Sequence, residues 1–527
     1  MHVGHSFKQQ PPSGRFDAIV IGSGIGGLTV AAMLSRYGRK RVLVLERHYR
    51  IGGYTHTFTR PGYEWDVGVH YLGQMGERGA MRAVFDKLSD GRIRWAALPD
   101  VYDRIELGSR GYDFVTGTTR FIETMGTAFP SERDAIAKYI DLIKSTAKKT
   151  SGFLMTRGLP SVVSAVATPL ARRGFSELSR RSTRDVLLEL TKNEELIAVL
   201  TGQYGDYGLP PSRSSFAIHA ALVAHYLGGA YYPVGGASVI AAGMAPLIEE
   251  HGGHLATNAE VESVLVEHGV AVGVRLAGGV ELRAPLVISD AGVANTFGRL
   301  VPPAHRPAAW GKALSAVPAS SGYLCLYLGF KATDAELGLT GTNLWLYPDE
   351  KHDENVARFE ADSDAPLPMV YLSFPSAKDP DFARRFPGRA TIDVITMARW
   401  EWFSQWQGTR WHQRGAEYDA LKAKWTERLL EVVFRRLPQL RGRVDVAELS
   451  TPLTTAHFAG HPRGELYGLD HTPGRFDVPL HAKTPLPGLM LTGADLATCG
   501  VAGGALGGLI TAGAILGPGP VMNLLKR

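Results

Sequence analysis

The chain has 527 residues, 45% of them hydrophobic, and a formal net charge of +6. That length accommodates two or more domains, and the composition is ordinary for a globular protein. Its two cysteines, Cys325 and Cys499, lie far apart and outside any CxxC spacing, which argues against a disulfide framework or a zinc site and fits a reducing, intracellular compartment.

The first fifteen residues are polar and contain Pro11 and Pro12. They lack the apolar stretch of a secretory signal and are expected to be frayed. Next comes the most informative segment. An apolar, β-branched run ends at Ile21 and leads into Gly22-x-Gly24-x-x-Gly27; a helical pattern over 28–37 and a second apolar run, 42–45, follow, ending on Glu46. Strand, glycine turn, helix, strand and acid in this order form a dinucleotide-binding fingerprint. Gly22 allows the sharp turn, Gly24 the approach of a pyrophosphate, and Gly27 close packing of helix on sheet. The helix N-terminus offers free N–H groups to phosphate, and Glu46 is placed to accept bonds from ribose hydroxyls.

Further along, Gly235-Gly236 precedes a helical pattern, and a hairpin is expected from Val261 to Leu276 with its turn near Gly269. Residues 286–290 are another apolar strand, and 489–491 a last one before a glycine-rich turn and helix. The run 501–516 is short and full of glycine, so it is expected to be a buried helix on the nucleotide side rather than a membrane span. Between these pieces, 321–330, 370–374 and 390–397 have strand texture and 414–437 has helical periodicity. The segment 150–185 mixes apolar residues with Arg172, Arg173, Arg180 and Arg181. Such a basic amphipathic segment either lies on a membrane surface as a lid or packs as a solvated helix pair. No zinc-finger, RNA-binding or basic-zipper pattern appears, so nucleic acid is not an expected partner.

The fingerprint continues through Arg47 and Ile51-Gly52-Gly53, then His56-Thr57-Phe58 and Asp66-Val67-Gly68-Val69-His70-Tyr71. Similar echoes fall at Tyr232-Pro233-Val234-Gly235-Gly236, Tyr467-Gly468-Leu469-Asp470-His471 and Leu491-Thr492-Gly493-Ala494-Asp495, closing on glycines 500–508. Together they resemble the phytoene desaturase, carotenoid isomerase and retinol saturase family of amine-oxidase-like flavoproteins, the retinol-saturase-like branch most of all. The resemblance implies an α/β architecture: a Rossmann-like FAD-binding domain of the amine-oxidase and GDP-dissociation-inhibitor type, with an inserted α+β substrate domain. The FAD-binding domain would be built from 16–75, 230–295 and 485–520, and the substrate domain from 76–229 and 296–484. FAD would be held by Gly22, Gly24, Gly27, Glu46, Arg47, Gly53, Val261, Asp495 and Gly500. For Asp495 a helix N-cap is the plain alternative, and for Val261 simple sheet core.

The segment before His70 looks like the one that runs past the flavin in such folds. His70 and Tyr71 are therefore candidate proton donors or substrate contacts, with His56 a weaker one; a structural role for each is the competing reading. Tyr231, Tyr232, Tyr467, His471 and the aromatic run Trp400, Trp402, Phe403, Trp406 and Trp411 either line an apolar tunnel or fill a core. The expected function is FAD-dependent chemistry on carbon–carbon double bonds of a lipid-like substrate, such as a retinoid, carotenoid or unsaturated fatty chain, with saturation favoured. A redox-neutral isomerase using reduced FAD and a non-catalytic prenyl-lipid binder are the alternatives. With no second nucleotide fingerprint, NAD(P)H, if used, is expected to dock transiently. The expected location is cytoplasmic, with peripheral contact to a membrane.

Overall fold

The structure is a computed structural model that describes residues 4–159 and 161–525. Six parallel strands form one sheet in the order His5–Ser6, His254–Thr257, Val42–Leu45, Ala18–Ile21, Val287–Ser289 and Leu489–Leu491. The four inner strands are almost wholly buried. A sheet covered on both faces needs this, and it explains their unbroken apolar sequence. Successive strands leave Ala18–Ile21 in opposite directions, toward Val42–Leu45 on one side and Val287–Ser289 on the other. Ligands of open α/β sheets bind outside the strand ends at such a switch point.

Two helices meet there, Ile25–Gly38 and Gly500–Leu516. Their contact depends on missing side chains, because a Cβ on Gly508 would stand 2.6 Å from Cβ of Thr29. Among the described residues no helix is long and apolar enough to cross a membrane. The N-terminal residues depart from expectation. His5–Ser6 pairs with Ala256 and Thr257, His5 Nε2 lies 2.8 Å from Glu249, and its ring stacks on His254. These side chains and backbone bonds fix a segment whose polar composition suggested fraying.

A second, mixed sheet has seven strands, in the order Val444–Ser450, Gly322–Phe330, Ala390–Ala398, Val370–Ser373, Asn343–Tyr347, Val101–Leu107 and Arg110–Val115. Helix Ala416–Arg436 buries Tyr418, Trp425, Leu429 and Val433 against a cluster that includes strand residues Leu324 and Leu326. The hairpin Thr57–Arg60 and Tyr63–Asp66 ties the two sheets together. Trp65 donates its indole N–H to the Leu328 carbonyl at 3.0 Å, and Tyr63 donates to Asp445 at 2.9 Å. The Asp66 carboxyl accepts the Ala237 N–H at 2.8 Å and the Tyr232 hydroxyl. Residues 67–71 are thereby held between the nucleotide-side sheet and the mixed sheet.

Candidate active site

One cavity of about 860 Å³ runs from the switch point to the face of the mixed sheet. At its nucleotide end the local backbone explains the glycines. Gly22 has φ of +95°. A Cβ on Gly24 would lie 2.5 Å from Asp290 Oδ2, and one on Gly26 would lie 2.5 Å from both Asp290 Oδ1 and the Gly493 Cα. A Cβ on Gly27 would strike the Gly22 carbonyl. Glu46 lines the cavity with its carboxylate already fixed: Ser23 donates N–H and hydroxyl to Oε2 at 3.0 and 2.6 Å, and His48 N–H reaches Oε1 at 2.8 Å. These residues fit a dinucleotide: a helix N-terminus without side chains at Gly24, Gly26 and Gly27 for phosphates and a pre-aimed carboxylate for ribose.

Arg47, Gly53, Val261, Asp495 and Gly500 also line this cavity. Arg47 sits 3.9 Å from Glu260. Asp495 is not a helix N-cap, since the helix starts at Gly500 and Cys499 precedes it. Its two carboxylate oxygens accept the backbone N–H groups of Leu469 and Val293, each at 2.8 Å, so it ties two loops together beside the cavity.

Asp290 carries the larger surprise. The sequence showed it only as the end of a strand, yet its carboxyl sits in the glycine cradle at the start of both helices. Burial pushes it up to about 7, with the Gly27 N–H opposing. A carboxyl so poised can stay neutral next to phosphate charge.

His70 and Tyr71 both line the deeper part of the cavity. Burial pushes His70 down to about 3, so its ring is neutral near pH 7. Its Nδ1 lies 3.4 Å from Asp393 Oδ2. Burial raises Asp393 well above the usual carboxylate range, so this contact is not an ion pair. Tyr71 reaches Asp103 at 2.9 Å and Asp206 at 3.0 Å. Lys378 Nζ bonds the His70 carbonyl at 3.0 Å and the Ser373 hydroxyl at 2.7 Å, 5.7 Å from the Tyr71 ring centre. His56 lines the cavity too, with Nδ1 2.6 Å from the Gly53 carbonyl; burial lowers it to about 4.

Of the aromatic candidates, Tyr467 and Trp411 reach the cavity. Trp400, Trp402, Phe403 and Trp406 belong to the core beside helix Ala416–Arg436 instead. Tyr231 and Tyr232 are strand residues of Ala230–Pro233, and His471 is fully buried. The deep wall is made by Tyr226, Tyr323, Tyr327, Trp345 and Tyr371, with Cys325 and Cys499 among them. Both thiols are free, and burial raises Cys499 to about 12 and Cys325 well above its ordinary value, so neither is a thiolate nucleophile. Apart from Cys499, the wall residues come from three strands and a helix, a grouping that no local spacing reveals.

These features define a flavoprotein of the amine-oxidase-like class. Its fold neighbours agree. An oxidoreductase from Methanosarcina mazei superposes with a TM-score of 0.63 at 19% identity, covering 97% of this chain and 100% of the other. Wild-type putrescine oxidase bound to putrescine gives 0.61 at 18% identity, covering 98% and 100%. A family profile described as an NAD(P)-binding Rossmann-like domain matches residues 20–88. All-trans-retinol 13,14-reductase of Danio rerio is 37% identical over 521 residues, covering 95% of this chain and 86% of the relative. A second Danio rerio relative, named as an inactive all-trans-retinol 13,14-reductase, is 34% identical with 95% and 85% covered. The chloroplastic prolycopene isomerase of Arabidopsis thaliana is more distant, at 27% with 85% and 73% covered. The chain belongs to the all-trans-retinol 13,14-reductase family. Family and fold together make it an oxidoreductase of the flavin-dependent kind.

Proposed function

We propose that this protein saturates one double bond of a retinoid polyene, with NAD(P)H as a transient reductant. The observation that carries the reading is the single cavity that joins the nucleotide cradle at Gly22 and Gly24 to an aromatic wall at Tyr226, Tyr323 and Tyr371. A flat, conjugated chain can lie along such a wall with one end beside the cofactor. FAD bound at Glu46 and the glycine cradle supplies hydride chemistry. The chain's own residues orient the polyene, exclude water and supply a proton.

The second reading, a peripheral membrane surface, rests on helix Ser161–Ser179. Val163, Val166 and Leu170 there are 50%, 66% and 63% exposed, and Met522 on helix Pro518–Leu525 is 56% exposed. Helix Pro518–Leu525 reaches the cavity through Leu525, and helix Ser161–Ser179 packs on helix Arg133–Met155, whose Met155 also lines it. Water-poor substrates favour such an apolar rim. The arginines contribute less than the sequence suggested, because Arg172 and Arg180 share Asp477 at 2.8 and 2.7 Å and Arg181 pairs with Glu189.

The test of the central reading is incubation of the FAD-loaded protein with all-trans-retinol and NADPH, with product mass as the readout. A product heavier by one pair of hydrogens supports it. An isomer of unchanged mass, or no product across retinoids, overturns it.

A further inference from the structure

Saturating an alkene needs a hydride on one carbon and a proton on its neighbour. We infer that Asp206 is the acid that delivers this proton, with Tyr71 and Asp103 holding its carboxyl in the protonated state; the inference rests on the reductase reading.

The Tyr71 hydroxyl stands 2.9 Å from Asp103 Oδ2 and 3.0 Å from Asp206 Oδ2. A phenol has a single hydrogen to donate. Two ionised carboxylates around it would leave one oxygen facing another with no proton between them. One of the two acids must therefore carry its own proton and donate it to the Tyr71 oxygen.

Asp103 is the poorer candidate. It is fully buried, and it already accepts Gln203 Nε2 at 2.7 Å and Asn343 Nδ2 at 2.8 Å. Burial raises Asp103 as well, but two amide donors plus the Tyr71 hydrogen oppose that rise and favour its ionised form. Asp206 accepts from no other side chain among the described residues, so it is the acid that keeps a proton. The chain of donors then runs from the Asp206 carboxyl to Tyr71 Oη, and from Tyr71 to Asp103.

Position supports the same choice. Asp206 lines the cavity and Asp103 does not. The peptide just before Asp206 is clamped: the Tyr323 and Tyr467 hydroxyls both donate to the Gly205 carbonyl at 2.9 Å. Burial pushes Asp206 up to about 8, and the nearby Asp103 charge adds to the shift. Tyr71, Lys378, Tyr226, Tyr371 and Cys499 complete the titratable surroundings; burial keeps the phenols and the thiol neutral, and the Lys378 charge pulls Asp206 down.

The balance closes. The alkene π bond is lost and two C–H bonds form. The electron pair arrives as hydride from the reduced cofactor, which a nicotinamide donor re-reduces. The proton comes from Asp206 Oδ, whose O–H turns from Tyr71 Oη to the alkene carbon in the transfer; the carboxylate left behind regains a proton from water and with it the bond to Tyr71. His70, neutral near pH 7, need not take part in this transfer.

The test is infrared difference spectroscopy of the FAD-loaded protein, without substrate, across pH 6 to 10. Over this range Asp66 and Asp290, both pushed up to about 7, also lose their C=O bands; we expect one further protonated-carboxyl band, bleaching as pH rises through about 8, that alone is missing in Asp206→Asn. In Tyr71→Phe, which keeps the ring, the midpoint of that band should move. The same Asp206→Asn protein should reduce retinol about two to four orders of magnitude more slowly, as expected for loss of a general acid, while FAD content and retinol affinity stay at wild-type level. An Asp206→Asn spectrum that keeps every band of the wild type, or an unmoved midpoint in Tyr71→Phe, overturns the inference. So does wild-type turnover of Asp206→Asn. Should the wild type reduce no retinoid at all, the reductase reading fails, and the infrared arms still decide where the proton sits.

Discussion

Ser23 donates both its backbone N–H and its hydroxyl to one oxygen of Glu46, at 3.0 and 2.6 Å. The residue between the first two glycines of the turn thus aims the acid at the end of the second strand. Hydrogen bonds to a charged group are worth about 1.5–3 kcal/mol each. Glu46→Gln should therefore weaken FAD binding by about ten- to a hundredfold with the fold intact. Ser23→Ala should cost several-fold, through loss of aim rather than of charge. Flavin fluorescence quenching on titration of apoprotein checks both, and unchanged affinity in Glu46→Gln would remove Glu46 from the site.

The glycine cradle predicts a sharper loss. Any side chain at Gly24 enters space that the Asp290 carboxyl already borders at 2.5 Å. Gly24→Val is expected to be colourless when purified, with circular dichroism like the wild type. Asp290→Asn, which keeps shape and stays neutral, should retain the flavin. Yellow Gly24→Val protein would contradict the assignment of this cradle to the pyrophosphate.

Much of this was legible in the sequence, and the boundary has a physical basis. The glycine turn, the helix after it and Glu46 act through neighbours in sequence, so their spacing carries the information. The buried strands announced themselves through unbroken apolar runs, and helix Ala416–Arg436 through its period. Asp206 had no local signal, because its partner Tyr71 lies 135 residues away and Asp103 acts through Tyr71. Asp290 looked like the end of a strand until the sheet set it against Gly24 and Gly26. The tryptophans between 400 and 406 stayed open in the sequence, since a dense aromatic run looks the same in a tunnel and in a core; the structure puts them in the core.

Buried imidazoles set the acid limit of stability. Burial holds His219 at about 3, and His225 and His352 at about 4, below the ordinary 6.5. Unfolding lets each take up a proton below pH 6.5, so the stability they allow is present above that pH and lost as pH falls toward about 4. The slope is about 1.4 kcal/mol per pH unit for each imidazole. His219, between the hydroxyls of Tyr139 at 2.8 Å and Tyr207 at 3.3 Å, is the cleanest probe. His219→Phe should show a smaller fall in thermal midpoint from pH 6.5 to pH 5 than the wild type. Groups with raised values, such as Asp66 at about 7, act in the opposite sense but are common to both proteins. Parallel falls would show that His219 does not titrate on unfolding.

The apolar rim predicts membrane behaviour. Changing Val166 and Leu170 to Glu places two charges at the most exposed apolar sites among the described residues of helix Ser161–Ser179. Liposome pelleting should drop several-fold in that variant, and reduction of micelle-dispersed retinol should not change. Reversing Arg172 and Arg180, already paired with Asp477, should matter less. Equal pelleting of all three proteins would leave helix Ser161–Ser179 as a packed element without a membrane role.

The most direct test of the account is an anaerobic single turnover. Protein whose FAD has been reduced by light is mixed with excess all-trans-retinol, with no nicotinamide present, and the product is counted against flavin. The account predicts one dihydro product per flavin, formed as the oxidised flavin absorbance returns. Many product molecules per flavin, all of unchanged mass and with the flavin still reduced, would contradict it and make the protein an isomerase.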